Sequence, residues 1–163
     1  MNMKESRNLG PIELDGGSGG GAMEGMASFQ GRALPVRVEI DFPERLSDAI
    51  VDDVDMVLDN LAFVDGLARN TIETGMRWDA SAPAKLFEAW EQKRSGREGA
   101  HADFLDQLRP TRILILPDGG LASRERVAMT YGVADGTVSG TVTVRFMEPT
   151  GPELAPAPRA GFA

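Results

Sequence analysis

The apolar residues Leu46, Ile50, Val54, Val57, Leu61, Val64, Ala68 and Ile72 recur at intervals of three and four, and this periodicity constrains the chain more than any other feature. Such spacing places them on one side of an α-helix, so the stretch predicts a single long amphipathic helix with one stripe to bury. Ser47 is the expected N-cap, because its hydroxyl oxygen can accept a backbone N–H from the first turn. Gly66 interrupts the pattern and marks the expected place for a kink or an end.

The surface that buries this stripe is written in a different period. Val36, Val38 and Ile40 alternate with Arg37, Glu39 and Asp41, the signature of a half-buried strand, and Pro43 closes it. Residues 23–29 and 34–42 then form a hairpin around Gln30, Gly31 and Arg32. Two shorter helices are expected at residues 83–92 and 102–108. Strands return at residues 111–116, 126–133 and 141–146, punctuated by Asp118-Gly119-Gly120 and Asp135-Gly136. The resulting expectation is an α+β fold in the order strands, helices, strands: an antiparallel β-sheet with two to three helices packed on one face. Residues 1–21 read as a flexible Gly-rich segment, 22–149 as one domain, and 150–163 as an irregular Pro- and Ala-rich tail.

Composition narrows the chemistry. The 163 residues suffice for one domain with an ordinary core, at 42% hydrophobic and 26% charged. The chain contains no Cys, which removes disulfides, thiolate nucleophiles and Cys-ligated metals. His101 is its sole histidine, which removes multi-histidine metal sites and leaves a surface residue as the ordinary expectation. A formal charge of −8 disfavours nucleic acid and anionic membranes as partners. Trp78, Trp90 and Tyr131 are too scattered to stack nucleobases, and Trp78 is expected to cover the edge of the core. With no long apolar run and no apolar region behind Lys4 and Arg7, the expected location is the cytoplasm. No catalytic residues, cofactor or metal are expected.

The acidic excess is concentrated near the long helix. Asp52, Asp55 and Asp59 lie three and four apart, so they share a helix face and are expected to point outward together. Two readings stand: a solvated face, or an acidic surface for a basic protein partner. A carboxylate site for Mg²⁺ or Ca²⁺ would use the same residues but lacks the EF-hand pattern.

Tyr131-Gly132-Val133, followed by Ser139-Gly140-Thr141-Val142-Thr143-Val144 and by Gly161, resembles the closing strands of a group of small bacterial domains of unassigned function. The hairpin, the helix through Leu61 and Trp90 are similar to the same layout. That group places a histidine after the Gly, where this chain has Thr141, so no role of that histidine carries over. The resemblance implies an immunity-protein-like module that binds a toxin-like basic partner without catalysis. The alternatives are an accessory or self-associating domain, a homo-oligomer, a carboxylate-based enzyme or a small-ligand binder.

Overall fold

A computed structural model of the chain describes residues 4–17, 20–93, 101–117, 124–148 and 150–156. The strands β1 (Lys4–Ser6) and β2 (Gly10–Ile12) form a small antiparallel sheet of their own. Next come β3 (Asp15–Gly17), β4 (Gly20–Phe29) and β5 (Arg32–Ile40), then a single 3-10 turn at Pro43–Arg45. The helices α1 (Asp48–Asp59), α2 (Leu61–Gly75), α3 (Ala82–Lys93) and α4 (His101–Gln107) follow. The chain then returns through β6 (Leu108–Ile115), β7 (Glu125–Val133), β8 (Thr141–Met147) and β9 (Gly151–Leu154). The fold is α+β.

The main sheet has seven strands in chain order, β3-β4-β5-β6-β7-β8-β9. Its pairs are antiparallel except β5 with β6, which run parallel. All four helices lie between those two strands in sequence, and a long crossover of that kind is what a parallel pair requires.

Three expectations are corrected. The Gly-rich lead carries three strands, and Gly17 pairs with Gly20 in the antiparallel ladder of β3 and β4; Ser18 and Gly19 lie outside the described residues. The tail carries β9, a strand at the edge of the sheet. The long helix is two helices, and the break falls at Asn60 rather than at Gly66, which sits inside α2. Asn60 leaves helical geometry at φ −115° and ψ 28°. Its N–H bonds the carbonyl of Val57, its side chain bonds that of Met56, and its own carbonyl receives the N–H groups of Phe63 and Val64. An asparagine amide competes with the helix for backbone partners, and here it ends one helix and starts the next.

Ser47 does cap α1, accepting the N–H of Ile50 at 3.3 Å. Alternation sends Val36 and Val38 of β5, Ile113 of β6, Met129 and Tyr131 of β7 and Val144 of β8 to one face, where they meet Val54, Ile72, Trp90 and Phe104 from the helices. The opposite face is built from cross-strand polar pairs. Arg37 bonds Glu24 at 3.0 Å, Thr130 and Thr143 share a hydrogen bond of 2.9 Å, and Arg145 bonds Glu153 at 2.6 Å. Among the described residues no helix is long and apolar enough to cross a membrane.

Candidate functional site

The three aspartates singled out in the sequence do not act as one outward face. Asp52 is exposed on α1. Asp55 is 2% exposed and is enclosed by the turn between β1 and β2. Its Oδ1 accepts the hydroxyl of Ser6 at 2.5 Å and the side-chain amide of Asn8 at 3.0 Å. Its Oδ2 accepts the backbone N–H of Arg7 at 3.0 Å. Burial pushes the Asp55 carboxyl up, but the donors from Ser6, Asn8 and Arg7 outweigh it and leave it below its ordinary value. Asp59 faces the same turn and pairs with the Arg7 guanidinium at 2.5 Å.

The expected outward trio is therefore corrected: Asp55 holds the N-terminal hairpin to α1, and Asp59 assists. The physical reason is that the hairpin folds back over a helix face that the local pattern leaves in water. A signal for it exists in Ser6, Asn8 and Gly10. Ser6 Oγ also accepts the N–H groups of Asn8 and Leu9, a hydroxyl turn, and Gly10 takes φ 75°.

The exposed side of α1 and α2 has a consistent character. On α1 and α2 the exposed ionisable residues are Asp48, Asp52, Asp53, Asp59 and Glu73, all acidic. Asp48 is paired with Lys4 and Asp59 with Arg7. Arg69, the sole cation on these two helices, turns inward to Asp65. The same two helices expose large apolar side chains, Met56 at 56% and Phe63 at 68%, and Trp78, beside the exposed Arg77, follows α2 at 64%. Trp78 was expected over the core edge; it stands in solvent just past the end of α2.

Beside Trp78 runs a groove of about 430 Å³ between α2 and the edge strand β9, lined by Leu67, Thr71, Thr74, Pro152 and Leu154. The strand is drawn close by Gly75, because a Cβ there would collide with Leu154. Ala155 donates its N–H to the Thr143 carbonyl on β8, so alternation turns the main-chain groups of Glu153 and Gly151 towards β8 and those of Pro152 and Leu154 away from it. Pro152 has no N–H to offer, which blunts this edge against another strand. Binding here would therefore use side chains in the groove rather than strand addition.

A second buried polar group escaped the sequence reading. Tyr131 is fully buried and donates its hydroxyl to Asp65 at 2.6 Å. Asp65 also receives Arg69 Nε, at 3.0 and 3.1 Å to its two oxygens. Arg69 spends its remaining reach on the carbonyls of Leu105 and Leu108, at 3.1 and 2.9 Å, which closes the C-terminal end of α4. Burial first, and then the Asp65 carboxylate, push the Tyr131 phenol far up. Its donors and acceptors are satisfied within the core, so the network positions α2, α4 and β7.

His101 begins α4, exposed, with its ring edge-on to Phe87 at 4.5 Å. Among the described residues no group of three or more His, Asp or Glu side chains is placed to hold a metal ion. Comparison with protein-family models, with curated proteins and with solved structures found no match.

Proposed function

We propose that this chain is a non-catalytic protein-binding module, and that its docking surface is the outer side of α1 and α2 together with the groove beside β9. The observation that carries this reading is the combination of exposed Met56, Phe63 and Trp78 with exposed ionisable residues on α1 and α2 that are all acidic. Large apolar side chains left in water cost nothing to a partner that covers them, and tryptophan is among the strongest anchors of protein interfaces. A carboxylate surround steers a basic segment towards them and fixes its orientation. The partner that fits is a basic protein segment bearing apolar side chains. The resemblance to immunity-type domains points the same way.

The test is affinity capture with the whole chain, followed by kinetics on the captured protein. The expected result is a basic protein retained by the native chain and lost by Trp78→Ser and by Phe63→Ser. Replacing Asp52 and Asp53 by Asn should slow its association at low salt and have little effect at high salt. Equal retention by all variants would refute the reading. Concentration-dependent dimerisation that the two serine variants abolish would assign the surface to a second copy of the chain instead.

A further inference from the structure

The parallel pair in the sheet is short, and its shortness opens a second site remote from the helical surface. The β5 and β6 strands pair only where Val36, Arg37 and Val38 meet Ile113, Leu114 and Ile115. Both strands continue well before those positions, β5 from Arg32 and β6 from Leu108. They separate for a reason visible in the sequence. Phe29 and Arg32 close a two-residue hairpin, so the next residues in alternation, Ala33, Pro35 and Arg37, turn their main-chain groups towards β6. Pro35 has no N–H with which to extend the ladder. On the other side β6 carries Pro110, and its register with β7 shifts between Pro110 and Arg112.

The strands part into a cleft of about 770 Å³. The N–H of Ala33 faces this cleft and has no ladder partner on β6. Arg32, Arg69 and Arg109 are among its lining residues, and Asp106 is the one acidic residue among them. Arg69 is neutralised by Asp65. Among the described residues the Arg109 guanidinium bonds only carbonyl oxygens, those of Asp106 and Leu108. Arg32 is exposed, and its guanidinium has no hydrogen-bond or ion-pair partner among the described residues. A chain of net charge −8 thus lines this cleft with two arginines that have no carboxylate partner among the described residues, beside a main-chain N–H that β6 does not pair.

We infer that the cleft between the parted ends of β5 and β6 binds a small oxyanion ligand, a carboxylate or a phosphate, through Arg32, Arg109 and the N–H of Ala33. Guanidinium forks and backbone N–H groups suit both oxyanions, since each presents two or more acceptor oxygens to converging donors. This site is independent of the proposed protein-binding surface, and neither inference depends on the other.

The experiment is a titration of the ¹⁵N-labelled whole chain, followed by its amide resonances, with sodium phosphate in one arm and sodium succinate in the other. Ionic strength is held constant with sodium chloride. The expected result is a saturating shift of the Ala33, Arg32 and Thr111 amides with at least one anion, and the arm that saturates identifies the oxyanion. Arg32→Gln and Arg109→Gln should each weaken binding about tenfold, the scale of one lost charge-assisted contact. Asp106→Asn should strengthen it by removing the opposing charge. Shifts that stay linear in both arms, or that saturate equally in the two arginine variants, would overturn the inference.

Discussion

Tyr131 on β7 and Asp65 on α2, 66 residues apart in sequence, meet in a hydrogen bond of 2.6 Å inside the core. The bond gives a buried carboxylate its second partner besides Arg69, and it fixes the long-range position of α2 on the sheet. Removing the hydroxyl leaves Asp65 short of one donor, which typically costs about 1–3 kcal/mol at a buried site. Tyr131→Phe is expected to lower stability in urea by that amount. Asp65→Ala is expected to cost more, because it leaves Arg69 without its counter-charge. A Phe variant as stable as the native chain would show that the bond contributes nothing.

The three aspartates of α1 should separate cleanly when each is replaced by Asn. Asp52 makes no described contact, so Asp52→Asn should leave unfolding unchanged. Asp59→Asn should have a small effect, since its pair with Arg7 is largely exposed. Asp55→Asn replaces an acceptor that serves Ser6, Arg7 and Asn8, and should cost about 1–3 kcal/mol. Three equal effects in urea unfolding would contradict the assignment of Asp55 as the residue that holds the N-terminal hairpin.

The same residue predicts a pH response. The folded-state pKa of Asp55 lies below its ordinary value of 3.8. A depressed carboxyl contributes stability that is complete above the unfolded pKa and is lost as pH falls through the folded one. The clasp on the N-terminal hairpin should therefore hold at neutral pH and release only in acid, below the ordinary carboxylate range. Amide chemical shifts of Arg7 and Asn8, followed during acidification, should move towards unstructured values in that window. Release near pH 6 would point to a different group.

Much of this architecture was legible because it follows from local periodicity. The hairpin around Gln30 and Gly31, the Ser47 cap and the strands that flank the helices are encoded by neighbours in sequence. Asn60 shows where that logic ends: the apolar stripe runs through it in phase, so nothing in the hydrophobic pattern marks the break, and only the capping chemistry of asparagine does. The acidic trio failed for a longer-range reason. Whether a helix face meets water depends on what folds over it, and Ser6 and Asn8 lie 49 and 47 residues from Asp55. Tyr131, read as a lone aromatic, likewise reveals its role only beside Asp65. The exposed Trp78 and the cleft at Arg32 depend on tertiary placement as well, although Pro35 and Pro110 carried a hint that two strands would fail to pair along their whole length.

The edge strand β9 depends on one close approach, and a double-mutant cycle can isolate it. At Gly75 a Cβ would occupy the space of the Leu154 methyl and press on Pro83. Gly75→Ala gains helix propensity of about 1 kcal/mol, which alone would stabilise α2. Overpacking against Leu154 and Pro83 costs about 1–3 kcal/mol, so the net effect is expected to be destabilising. Leu154→Ala on its own should also destabilise, through lost burial between β9 and α2. In the double variant the shortened side chain at 154 makes room for the new methyl, and the overpacking term falls. The two losses should therefore be less than additive by about 0.5–3 kcal/mol in urea unfolding, as for other residues in direct contact. Strict additivity would mean that β9 is positioned by its ladder to β8 alone, with Gly75 free to carry a side chain.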